Sequence, residues 1–105
     1  MGVGLLAALV ALAVLATAAF AAVFTGTPGN DRINGGKGKD CLYGNQGDDR
    51  IKGGFGRDRI FGGRGDDAIF AASQGHDRIN CGPGEDLAVI HKGDRVRGCE
   101  AIRRR

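Results

Sequence analysis

A nine-residue unit repeats along this chain, and a fixed repeat constrains a fold more tightly than composition does. Without a gap the units read GTPGNDRIN (26–34), GGKGKDCLY (35–43), GNQGDDRIK (44–52), GGFGRDRIF (53–61) and GGRGDDAIF (62–70). One extra residue, Ala71, precedes two looser copies, ASQGHDRIN (72–80) and CGPGEDLAV (81–89). Place 4 is glycine and place 6 is aspartate in all seven units, and place 8 is Ile or Leu in the first five. The 20 glycines among 105 residues would alone suggest a low-complexity chain, but here they stand in phase.

Glycine at places 1, 2 and 4 suits a tight turn that uses positive φ angles, which glycine adopts without steric penalty. Asn45 takes one of these places, and Asn is the next most tolerant residue. The last three places alternate out, in, out, which is a minimal strand of period two. Turn and strand repeated twice make an eighteen-residue coil with two facing strands. Successive coils stack in parallel. Place 8 then points inward, so Ile33, Ile51 and Ile69 line one strand stack and Leu42, Ile60 and Ile79 the facing one.

This pattern resembles the hemolysin-type calcium-binding repeat (the RTX nonapeptide), written GGxGxDxUx with U a large aliphatic. The resemblance spans residues 26–89 and implies an all-β parallel β-roll, a β-solenoid. It also implies calcium ions held in the turns, between each unit and the next but one, by backbone carbonyls and the place-6 carboxylates. Carried onto this chain, one edge stacks Asp31, Asp49, Asp67 and Asp86, and the other stacks Asp40, Asp58 and Asp77. Adjacent pairs mark up to five sites, of which those at Asp77 and Asp86 are the least regular, because Ala71 is expected to slip the register and disturb the turn.

Elementary electrostatics agrees with a divalent cation. Coils stack at about 4.8 Å. Two carboxylates about 5 Å apart repel by roughly 3 kcal/mol at an effective dielectric near 20. A hard cation between them reverses the sign, and calcium accepts carbonyl and carboxylate oxygens in flexible geometry. The alternative role for each Asp is to brace its own turn by accepting backbone N–H bonds. Arg32, Arg50, Arg59 and Arg78 follow the aspartates and make the chain basic, at a net +3. Neighbouring cations weaken calcium binding, so affinities on the order of 10⁻⁴ to 10⁻³ M are expected.

Residues 2–24 form an apolar run without a charged side chain. Small residues before Ala22 fit a cleaved secretory signal over 1–21, with a retained membrane anchor as the alternative, since about twenty apolar residues also span a bilayer. Either reading puts the repeats in a secreted or extracellular setting. There, Cys81 and Cys99 are expected to pair as a disulfide across a C-terminal cap over 90–105, ahead of a disordered arginine tail. Cys41, at an outward place, is left as a free thiol or an intermolecular one.

Places 7 and 9 face solvent. One sheet face carries Arg32, Arg50, Lys52 and Phe70, and the other carries Arg59, Arg78, Tyr43 and Phe61. Such a basic-aromatic face gives a second functional reading, an adhesion module for an anionic surface or polysaccharide. The plain reading is a solvated face with charge protecting the sheet. Nothing points to a specific nucleic acid. His76 and His91 are isolated, which argues against zinc. The doublets Asp48-Asp49 and Asp66-Asp67 sit on adjacent places and do not bracket a substrate, and Ser73 lies in no nucleophile motif, so no enzyme is expected.

Overall fold

The computed structural model describes residues 21–71 and 75–104. The predicted signal segment therefore lies outside the described residues up to residue 20. Ten short strands follow one another: β1 Val23–Thr25, β2 Arg32–Asn34, β3 Cys41–Tyr43, β4 Arg50–Lys52, β5 Arg59–Phe61, β6 Ala68–Ala71, β7 Arg78–Asn80, β8 Leu87–Ile90, β9 Arg95–Arg97 and β10 Ala101–Arg104. Odd strands build one parallel sheet in the order β1-β3-β5-β7-β9, and even strands build the other in the order β10-β8-β6-β4-β2. The chain is an all-β parallel β-solenoid, as the repeat implies. Among the described residues there is no helix long and apolar enough to cross a membrane.

The register follows from period two. Place 8 meets place 8 in every stacked pair of the regular units: Ile33 with Ile51, Ile51 with Ile69, Leu42 with Ile60 and Ile60 with Ile79. A one-residue slip would turn each of these side chains to solvent. All six are buried between the two sheets, and Leu42, Ile51, Ile60 and Ile69 are fully so. Burying each contributes roughly 2 kcal/mol. The turns take positive φ at places 2 and 4, as the glycine spacing predicts, but not at the place-1 glycines, and among the described residues Asn45 is the non-glycine residue with positive φ, at 70°. Its side-chain amide donates to the Gly26 carbonyl at 2.8 Å, which helps hold that conformation.

Three departures from the sequence reading concern the ends and the insertion. Ala71 does not slip the register. It lengthens β6 to four residues and pairs with Ile90, the fourth residue of β8, and both are buried. Two irregularities 19 residues apart cancel, because strands pair across coils. Residues 72–74, where the disturbed turn was expected, lie outside the described residues. At the N-terminal side, Val23–Thr25 already pairs with Cys41–Tyr43, and Phe24 packs against the core, so the roll begins before Gly26.

At the C-terminal side, β9 and β10 extend both sheets by another coil. Arg103 and Arg104, expected to be disordered, pair with Val89 and Ile90. Their backbone completes the ladder while their side chains stay exposed. Cys81 and Cys99 form a disulfide with Cα atoms 5.1 Å apart, tying this last coil to the one before it. Cys41 is free and half-buried.

Candidate metal centre

Each of β2 to β8 follows a place-6 aspartate, which is the last residue of the turn before it. It lies one step before the inward-outward alternation begins, so its side chain folds back under the turn. Asp31, Asp40, Asp49, Asp58, Asp67, Asp77 and Asp86 are all at most 3 % exposed. That is unusual for a carboxylate, which is rarely buried without a partner.

The structure brings the seven onto two edges, in the two stacks read from the sequence. Along the first edge the Asp31 N–H donates to Asp49 Oδ1 at 2.8 Å, Asp49 N–H to Asp67 Oδ1 at 2.9 Å, and Asp67 N–H to Asp86 Oδ1 at 2.7 Å. Along the second, Asp40 N–H donates to Asp58 Oδ1 at 2.9 Å and Asp58 N–H to Asp77 Oδ1 at 2.7 Å. One carboxylate oxygen therefore braces not its own turn, as local turn chemistry predicts, but the turn of the preceding coil.

The other oxygen is left over. Oδ2 of Asp40, Asp49, Asp58, Asp67, Asp77 and Asp86 is buried with no hydrogen-bond partner. An unpaired buried acceptor costs about 1–3 kcal/mol, and more when charged. Asp31 differs, since its Oδ2 accepts the Thr27 N–H at 2.6 Å and its Oδ1 the Thr27 hydroxyl at 2.8 Å. The first turn, TPGN, is thus braced by its own side chains.

Next to three of the unpaired oxygens, those of Asp40, Asp49 and Asp67, stand carbonyls. A Cβ placed on Gly44 would lie 2.6 Å from Asp49 Oδ2 and 2.5 Å from the Gly62 carbonyl oxygen of the next coil. At Gly35 the same point is crowded by Asp40 Oδ2 and the Gly53 carbonyl, and at Gly62 by Asp67 Oδ2 and the Cys81 carbonyl. Place 1 is small because carboxylate and carbonyl oxygens converge on it. An all-oxygen set of this kind, hard and uneven in geometry, suits calcium better than magnesium or a transition metal.

Burial raises six of these carboxyls above the ordinary value of 3.8. Asp49, Asp58 and Asp67 are pushed up to about 7 and Asp77 to about 6, with desolvation the main cause and neighbouring carboxylates adding to it. Asp40 and Asp86 are also raised by burial. Groups so disposed take up a proton or a cation near neutral pH.

Sequence reading missed the ends of both ladders. Asp77 N–H donates to Asp94 Oδ1 at 2.9 Å, Asp86 N–H to Glu100 Oε1 at 3.0 Å, and Ala22 N–H to Asp40 Oδ1 at 3.1 Å. The signal was present in Asp94-Arg95-Val96-Arg97, which repeats places 6–9, but the shortened turn before it hides the phase. A second, outer ladder at place 5 was missed too. Asp48 N–H donates to Asn30 Oδ1, Asp66 N–H to Asp48 Oδ1 and Glu85 N–H to Asp66 Oδ1, all on the first edge.

A family model described as the RTX calcium-binding nonapeptide repeat (4 copies) matches residues 19–51 and 43–79, together more than half of the chain. No curated protein and no solved structure matches it.

Proposed function

The chain belongs to the RTX calcium-binding nonapeptide repeat family, and from that premise we propose a secreted, non-enzymatic protein whose folding is coupled to calcium held between its stacked turns. The observation that carries this reading is the row of buried, unpartnered Oδ2 atoms beside place-1 carbonyls. Without a cation the ladder holds several carboxylates out of water with one oxygen unmet. With calcium, each such oxygen gains a ligand bond.

The residues that would hold calcium are Asp49, Asp67 and Asp86 on the first edge and Asp40, Asp58 and Asp77 on the second. Asp31 contributes least, because Thr27 already satisfies it. The ion supplies charge neutralisation and cross-linking of successive coils. A site saturated a hundredfold over its dissociation constant adds about 2.7 kcal/mol to folding. Export through an N-terminal signal accords with the apolar run before Ala22 and delivers the chain to a calcium-rich space before it must fold.

The test is calcium titration by calorimetry together with circular dichroism in calcium and in excess chelator. Binding heat together with a β signal that is stronger and melts higher in calcium than in chelator supports the proposal. An unchanged β signal in chelator would sink calcium-coupled folding, and absence of binding heat would sink calcium binding itself.

A further inference from the structure

The two edges of the roll are alike in their buried aspartates and opposite in what surrounds them. Place 5 on the first edge reads Asn30, Asp48, Asp66 and Glu85, whereas on the second it reads Lys39, Arg57 and His76. The adjoining place 7 adds to the contrast. On the odd-numbered sheet Arg59 pairs with Arg78 and Arg78 with Arg95, a continuous column of three. On the even-numbered sheet the column Arg32–Arg50 stops at Ala68.

The result is two grooves of opposite character. The groove on the second edge has a volume of about 570 Å³ and is lined by five Lys or Arg side chains against three carboxylates, all three on its buried floor. The one on the first edge, about 470 Å³, has two arginines against four carboxylates. Among the described residues Lys39, Arg57, Arg59, Arg78 and Arg95 close no salt bridge, and all five are exposed.

We propose that the groove formed by Lys39, Arg57, Arg59, Arg78 and Arg95 is a docking site for a sulfated polysaccharide. Strand pairing spaces its cations at about 4.8 Å along the roll axis. A linear ligand with regularly spaced charges matches such a column, and guanidinium forks pair bidentately with tetrahedral oxyanions. Single-stranded nucleic acid adds base stacking on free aromatic faces. In the aromatic pair beside this column, Tyr43 and Phe61 stack on each other with centroids 5.0 Å apart and planes 5° from parallel, which takes up the inner face of each ring. A flat membrane surface does not enter a recessed groove. Calcium on the Asp40/Asp58/Asp77 floor would add to the positive field, while the Lys and Arg side chains that meet the ligand lie outside that floor.

The test is retention on immobilised heparin with calcium present, comparing two triple variants that lose the same net charge. Arg59→Gln/Arg78→Gln/Arg95→Gln is expected to bind at least roughly tenfold more weakly than the parent. Arg32→Gln/Arg50→Gln/Lys52→Gln, on the opposite sheet, is expected to stay within about twofold. Circular dichroism confirms that each variant keeps its fold. Should the groove triple not fold, Lys39→Gln/Arg57→Gln in the exposed turns reads the same groove by the same criterion. Equal losses in the two variants, or no retention of the parent at low salt, overturn the proposal. So does stronger competition by single-stranded DNA or by phosphatidylserine vesicles than by free heparin.

Discussion

Asp49, Asp58, Asp67, Asp77 and Asp86 are each asked to do two things with one carboxylate. Oδ1 accepts the N–H of the aspartate one coil back, which fixes the stacking, while Oδ2 waits buried for a proton or a cation. The pH dependence follows with a definite sign. Asp49, Asp58 and Asp67 titrate near 7 and Asp77 near 6 in the folded chain, all raised mainly by desolvation, against 3.8 when unfolded. Between those values the folded state binds more protons than the unfolded state, so calcium-free stability falls as pH rises. This contribution is complete below about 3.8 and lost as pH passes through about 7. Under the proposed function calcium competes for the same oxygens, so its stabilising effect is expected to grow over the same interval. Thermal unfolding in chelator should therefore give a higher Tm near pH 5 than near pH 8, and the calcium-induced rise in Tm should be larger near pH 8. A chelated Tm that climbs from pH 5 to 8 would contradict the protonated ladder.

At the level of turn and strand, place-1 glycines reserve space for converging oxygens rather than supplying unusual φ angles. Gly44 shows this, because it is absent from the positive-φ positions and yet a Cβ there would meet Asp49 Oδ2 at 2.6 Å and the Gly62 carbonyl at 2.5 Å. Gly44→Ala is expected to cost about 1–3 kcal/mol by overpacking and to blunt the calcium response of the Asp49 turn. Gly29→Ala is the control, since its nearest neighbour would be Thr27 Oγ1 at 3.6 Å and its φ is also ordinary. Chemical denaturation with and without calcium measures both, and equal effects would deny the cradle. The same elements show what was legible in the sequence. Place 8, the turns and both aspartate stacks could be read because each is strictly local in phase. Ala71 could not, because its meaning depends on Ile90 in the neighbouring coil. Asp94 and Glu100 were hidden by turns shorter than the repeat, and Val23–Thr25 by lying inside an apolar run that reads as a signal segment. The alternation of sign at place 5 was visible in the letters. It acquires meaning only once alternate units are seen to stack on opposite edges.

Across the whole molecule, stability in a solenoid is close to a sum over neighbouring coils, so its ends are its weak points. The C-terminal end departs most from the repeat: its turns are truncated, and all four residues of β10 are exposed. What ties that end is the Cys81–Cys99 disulfide, with Cys81 in the core and its N–H bonded to the Arg97 carbonyl at 3.0 Å. A loop of this size is worth about 3 kcal/mol when closed. The coil it secures also supplies Asp94 and Glu100, the residues that receive the Asp77 and Asp86 N–H groups. Reduction in the presence of calcium should therefore release β9 and β10 while leaving the central coils intact. Hydrogen exchange is the measurement: amides of Arg95–Arg97 and Ala101–Arg104 should lose protection on reduction, while Ile51 and Ile60, fully buried, should keep it. Uniform loss along the chain would mean that the coils fold as one cooperative block. Unchanged protection at the C-terminal end would mean that strand pairing alone holds it. The local outcome is expected because each coil touches only its neighbours, and the disulfide acts on the last of them.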